Sequence, residues 1–356
     1  MVSVVTATGH RMAQRIIPEA DGHIFFPFDL PVITERIVNI VNPKAIILIE
    51  TELWPNFLRL AWRKKIPVMM MNGRISGRSM RRYSLIKRFT TRMLLQIRKF
   101  CMQSKIDRER IISMGAIPKR VVITGNTKYD QTYAEVSEEE RAKLRREFRF
   151  EGKGPIIVAG STHGGEEEIV VRTFGKVLEK YPDARLLLAV REITRAASVR
   201  FMIKHQGYTV LRRSKMGTDE DDGKDAQIVI LDTIGELGRL YSLADVVFVG
   251  GSFVKVGGHN ILEPAAHGKP VLVGPYMFNF QEIFELLSQR GVCIMTPDEK
   301  SFETTLLDLL GNPEKMKKMG EAALEVVHEN QGATERNIAS FEELVKEYGI
   351  KLRENA

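Results

Sequence analysis

The sequence predicts an α/β protein of two doubly wound parallel-sheet domains with a cleft between them. Two observations carry this prediction. Short β-branched or apolar runs alternate with segments of helical periodicity along most of the 356 residues, and such alternation builds parallel sheets covered on both faces. The alternation stops at a charged stretch, 137–154, and then restarts, so there are two series and two domains. The expected boundaries are 1–135 for the first domain, 136–152 for a linker with a helix, 153–335 for the second domain and 336–356 for a closing helix.

In the first series the expected strands are 2–6, 23–28, 45–50, 67–71 and 121–124, with helices over 29–41 and 54–65. Residues 81–100 read as one basic, amphipathic helix, the pattern of surfaces that lie on anionic membranes, or equally of a core-packing helix with a basic outer face. In the second series the expected strands are 155–160, 185–190, 208–211, 227–231, 246–250, 270–273 and 291–295. The tail from Pro297 reads as consecutive helices, and the acid-rich stretch 215–225 as a solvated loop.

Hydrophobic residues make up 44% of the chain and charged residues 28%, which excludes a disordered or low-complexity protein. Two cysteines, Cys101 and Cys293, build neither a disulfide framework nor a Cys-rich zinc site, and point to a reducing compartment. No apolar run approaches the ~20 residues of a membrane-spanning helix, and no secretory signal is visible. Seven His occur without metal-ligand spacing, so no metal site and no cofactor is expected. The net charge is +8, and it is unevenly placed: residues 53–106 hold fourteen Lys and Arg and no Asp or Glu. Like charges at that density repel unless something anionic meets them, whether nucleic acid, an anionic membrane or a phosphorylated substrate. Aromatic residues interleave this block, but no single-strand recognition motif accompanies them, so a nucleic acid partner is not expected.

The strongest chemical segment runs from 246 to 283. A buried strand ends in Gly250-Gly251-Ser252, and a second pair, Gly257-Gly258, precedes His259-Asn260 and a helix expected over 261–267. Glycines admit close approach of a ligand, and a helix N-terminus favours a phosphate. Glu263, in the first turn, suits ribose hydroxyls. A second loop, Gly160-Ser161-Thr162-His163-Gly164-Gly165, follows the first strand of the second domain. Ser or Thr capping of the next helix explains it structurally, and the functional reading puts Ser161, Thr162 and His163 against the same ligand. In the first domain Glu50 and Glu52 follow a strand. They are either first-turn acids of the helix after Pro55 or a carboxylate that deprotonates an acceptor hydroxyl. Arg74 and Arg78, four apart beside Ser76, suit an oxyanion or phosphate.

These motifs occur together, in order, along nearly the whole chain: TELWPN (51–56), NGRISGRSMRRY (72–83), TGNTKYD (124–130), GSTHGGEEE (160–168) and the glycine-rich segment from 250 to 283. Jointly they resemble the 3-deoxy-D-manno-octulosonic acid (Kdo) transferase family. The resemblance implies a glycosyltransferase of the GT-B type, with two Rossmann-like domains, working without a metal and with inversion. The donor would be CMP-Kdo, bound by Ser161, Thr162, His163, Arg191, Gly250, Gly251, Ser252, Gly257, Gly258, His259, Asn260 and Glu263. The acceptor would be a phosphorylated lipid A precursor, met by Arg74, Ser76, Arg78, Arg81 and Arg82. The protein would be peripheral, at the cytoplasmic face of the bacterial inner membrane. The sequence departs from the family pattern at its start, where an anchor, a strand and a Gly-Glu loop bearing the presumed general base are expected. Glu52, or second Glu50, is then the local carboxylate, and the first-domain sheet is expected to show an unpaired edge. It departs again at Val190-Arg191-Glu192, where the family has Pro-Arg-His. The competing readings are a nucleotide-sugar epimerase of the same fold and a non-catalytic anionic-lipid-binding remnant.

Overall fold

The computed structural model describes residues 1–131, 136–152, 154–218 and 225–351; the side chains of Arg78 and Ser84, and most of the acidic stretch 215–225, lie outside the described residues. The chain divides into two units, one made of Met1–Asp130 with Gln331–Ala356 and the other of Gln131–Asn330.

Six strands order the first unit: β1 (Val2–Val4), β2 (His23–Phe25), β3 (Ile46–Ile49), β4 (Val68–Gly73), β5 (Lys99–Met102) and β6 (Val121–Ile123). All pairings are parallel, β1 with β2 and, in a separate sheet, β3-β4-β5-β6. β5 corrects the expectation of one helix over 81–100. That segment forms two helices, Gly77–Leu85 and Lys87–Leu94, and then a strand. Phe100, Cys101 and Met102 are wholly buried in β5. A three-residue apolar run has no period of its own, so only its pairing between β4 and β6 made it a strand. The helix Ala333–Glu347 returns to this unit. Asp130 accepts the backbone N–H of Gly332, Ala333 and Thr334, so the residue where the chain leaves the unit also caps the helix that re-enters it. Asp29 does the same for the helix Pro55–Arg63, accepting from Asn56 at 2.9 Å and Phe57 at 2.8 Å.

The two sheets of this unit leave two facing edges. Ile46 N–H bonds Pro67 C=O and Glu50 N–H bonds Met71 C=O, so the alternate residues, Ile47 and Ile49, turn their backbone away from β4. Val2 N–H bonds Gly22 C=O and Phe26 N–H bonds Val4 C=O, which turns Ser3 and Val5 away from β2. Both sets line one cleft of about 770 Å³, closed by Phe26, Phe57 and Val345. Among the described residues no strand pairs with either edge.

The second unit holds one seven-stranded parallel sheet: β7 (Ile156–Thr162), β8 (Arg185–Val190), β9 (Val210–Arg212), β10 (Ile228–Leu231), β11 (Val246–Val249), β12 (Val271–Val273) and β13 (Cys293–Met295), in the order β13-β12-β11-β7-β8-β10-β9. Val, Ile and Leu fill its strands and are buried on both faces. The strand order reverses between β7 and β11. Ligands of open parallel sheets sit beyond the strand C-termini at such a reversal.

Candidate active site

β7 and β11 end side by side because two glycines let them. A Cβ at Gly250 would stand 2.5 Å from Ser161 C=O, and one at Gly160 would stand 2.1 Å from the buried Tyr241 hydroxyl. Gly250 N–H bonds Gly160 C=O at 2.8 Å, and Ser161 turns the chain with φ at +57°. The loops after both strands are thereby brought together.

The loop after β11 does not offer its N–H groups outward. Glu166, wholly buried, accepts from Gly251 N (2.7 Å), Ser252 N (3.0 Å), Phe253 N (2.8 Å) and His163 N (2.9 Å). Gly257 N and Gly258 N both bond Gly251 C=O. Ser252 is buried, its Oγ donating to Val249 C=O and accepting from Gly274 N. The backbone N–H groups of Gly250, Gly251, Ser252, Gly257 and Gly258 are therefore all engaged within the protein. An internal carboxylate and internal carbonyls consume those donors, and the glycines shape the loop instead. Gly251, at φ +68°, leaves room for the His259 ring, which a Cβ there would approach to 3.0 Å.

The helix after this loop spans Leu262–Ala266, five residues rather than the expected seven, and Leu262 N–H is taken by the Asn260 side-chain oxygen at 3.1 Å. A helix this short has little macrodipole to offer. Asn260 Nδ2 donates to Glu263 at 3.1 Å. Burial pushes the Glu263 carboxyl above the ordinary range, and the Asn260 bond recovers only part of the shift. Thr162 is likewise engaged: it is buried in β7, its hydroxyl on Ala189 C=O. The next helix, Glu166–Lys180, is not capped by Ser or Thr. Its N-cap is Gly165, and the Glu166 side chain takes His163 N–H.

Polar groups at the ends of β7, β8 and β11 include His163, His259, Arg191 and the half-buried Ser161. His163 Nε2 and His259 Nε2 are 2.8 Å apart, with ring planes 2° from parallel. Burial, then His163, then Arg191 hold the His259 imidazole down to about 4. Arg191 follows β8 and is exposed, its N–H on Thr162 C=O.

The first 131 residues match a family model described as 3-deoxy-D-manno-octulosonic-acid transferase, and residues 213–326 match the group 1 glycosyl transferases. The chain is 36% identical over 332 residues to a 3-deoxy-D-manno-octulosonic acid transferase of Haemophilus influenzae, an alignment covering 93% of this chain and 77% of that one. It belongs to the Kdo transferase family. A second Kdo transferase, from Aquifex aeolicus, is 30% identical over 82% of this chain and 72% of its own. The fold is that of GT-B proteins such as the UDP-GlcNAc 2-epimerase of Neisseria meningitidis, with a TM-score of 0.60 at 14% identity, covering 97% of this chain and 91% of that one.

In this Kdo transferase family member the remaining predicted residues lie in the first unit. Glu52 is exposed after β3 and accepts the Trp54 indole N–H at 2.9 Å; Glu50 is exposed at φ +60°. Ser76 is the N-cap of the helix Gly77–Leu85, accepting Ser79 N–H at 3.0 Å. Arg74 is half-buried, and its carbonyl accepts the Thr51 hydroxyl. Arg81 and Arg82 are exposed on that helix, and the Arg78 side chain lies outside the described residues. Sequence reasoning missed Glu166. A signal was present, an acid directly after a glycine pair, but the same pattern marks an acid that merely complements a helix dipole. Among the described residues no group of three or more His, Cys, Asp or Glu is placed to hold a metal ion, and no helix is long and apolar enough to cross a membrane.

Proposed function

We propose that this chain transfers Kdo from CMP-Kdo to a phosphorylated lipid A precursor, with inversion. The observation that carries the reading is the 36% identity to a Kdo transferase across 93% of the chain. The second unit binds the donor at the ends of β7, β8 and β11. Glu263, its carboxyl pushed above the ordinary range by burial and oriented by Asn260, meets the ribose hydroxyls. His163, His259 and Arg191 meet the phosphate. In the first unit, Glu52 takes the proton of the acceptor hydroxyl as its oxygen bonds to the anomeric carbon. The bond from that carbon to the cytidylate oxygen breaks, and its electron pair leaves with the phosphate, stabilised by the cationic groups beside it.

Arg74, Ser76, Arg78, Arg81 and Arg82 belong to the acceptor side. Leu85 (86% exposed), Ile86 (51%) and Phe89 (52%) stand out of the same helices beside Arg81, Arg82, Lys87 and Arg88. Apolar side chains rimmed by basic ones suit an anionic bilayer surface, which supports peripheral residence on the membrane that holds the acceptor.

The test is Kdo transfer from CMP-Kdo to a tetra-acylated, bis-phosphorylated disaccharide. The wild-type chain is expected to release CMP and extend the acceptor. Glu52→Gln is expected to lower turnover by about 10²-fold or more, the scale of a lost general base. CMP binding without turnover would replace the transferase by a lipid-binding remnant, and turnover of a UDP-sugar in its stead by an epimerase.

A further inference from the structure

With the loop N–H groups consumed internally, an anion at the ends of β7 and β11 meets side chains. The nearest are two imidazoles that already meet each other. A 2.8 Å contact between His163 Nε2 and His259 Nε2 holds one hydrogen, donated by one ring and accepted by the other. A second proton on the facing nitrogens would set N–H against N–H. Among the described residues the charged groups around the pair are few. Arg191 comes from the end of β8 and opposes a positive ring. Glu166 is engaged by four backbone N–H groups, His163's own among them. Beyond Gly164, Arg195 is matched by Glu167 in a two-bond ion pair. Glu263 is tied to Asn260. None of these carboxylates is left over to hold a proton on the rings, and an incoming phosphate is the missing charge.

We propose that the His163–His259 pair, together with Arg191, is the phosphate clamp of the donor site, and that it takes up a proton when the cytidylate phosphate binds. This rests on the donor reading above. The phosphate brings negative charge against both rings, so the second facing proton becomes a charge-assisted donor instead of a repulsion. The direction of His259's shift accords with this, since burial and its cationic neighbours are what an anion offsets. As the bond from the sugar carbon to the phosphate oxygen breaks, the electron pair settles on that oxygen. An imidazolium N–H beside that oxygen would then donate more strongly, and no proton need leave the ring.

Calorimetric titration of CMP into the whole chain at about pH 6.5, close to a phosphate monoester's own second pKa of ~6, tests this in two buffers of different ionisation heat. The expected result is net proton uptake of less than one per CMP, the pair's gain minus the fraction the phosphate itself releases near its own pKa. The sign is diagnostic, because a phosphate meeting cations releases protons and does not gain them. Affinity is expected to fall as pH rises through the pKa of the bound pair. In parallel, the ring ¹⁵N resonances of both histidines are expected to move toward their protonated positions on adding CMP. His259→Gln keeps a hydrogen-bonding side chain but cannot titrate. It is expected to abolish the uptake and weaken CMP about tenfold, and His163→Gln is an independent second variant. CMP binding to the wild type with no proton uptake and unmoved ring resonances would overturn the clamp and leave the donor site standing. Absence of CMP binding to the folded wild type would overturn the donor site and the clamp with it.

Discussion

A carboxylate without solvent exposure is costly unless hydrogen bonds replace its water, and Glu166 has four from the backbone. It supplies internally the anion that the glycine loop was expected to find in a ligand. Glu166→Ala would remove the acceptor of four N–H groups, those of His163, Gly251, Ser252 and Phe253, and each left buried without a partner costs ~1–3 kcal/mol. We expect the second unit to lose about 3–5 kcal/mol in denaturant unfolding, the scale of breaking a buried charged contact, and Glu166→Gln, which keeps an acceptor oxygen, to lose less. An unchanged midpoint in the alanine variant would contradict this account of the loop. The residue types of the site were legible: His163, His259, Asn260 and Glu263 do stand together. Their duties were not, because which donor an acceptor takes depends on loops eighty residues apart in sequence.

At the scale of elements, the sequence located twelve of the thirteen strands found among the described residues to within a few residues, because buried parallel strands are written as short Val, Ile and Leu runs. β5 was lost inside a basic stretch that favours helix by composition, and its three apolar residues became a strand only by pairing on both sides. Element packing also explains Gly160. An added Cβ would stand 2.1 Å from the Tyr241 hydroxyl and 2.9 Å from its ring carbon Cζ. Tyr241 is itself buried and cannot retreat to solvent. Gly160→Ala is expected to cost ~1–3 kcal/mol by overpacking. Adding Tyr241→Phe is expected to recover part of that loss in a double-mutant cycle. Strict additivity of the two substitutions would show that the contact is not what constrains the position.

Across the whole molecule, charge dominates. Fourteen cations without an acid between residues 53 and 106 all fall in the first unit, and an anionic surface relieves their repulsion. The chain is expected to co-sediment with anionic lipid vesicles and not with neutral ones. Binding should weaken steeply as salt shortens the Debye length to ~3 Å at 1 M. Arg81→Glu with Arg82→Glu is expected to weaken it by more than about tenfold, at ~1 kcal/mol for each basic residue near the surface. Leu85→Ser should weaken it at high and low salt alike, because its contribution is burial and not charge. Equal binding to neutral and anionic vesicles would refute the electrostatic part.

By itself the sequence determined the two parallel-sheet units, the basic block and the family, because periodicity, composition and ordered motifs are local properties of a chain. Only the tertiary structure decided which groups remain for a phosphate. Hydrogen-bond donors are finite, and a buried glutamate brought close by the ends of two strands had already claimed the loop's, which is why the proposed clamp is built from side chains.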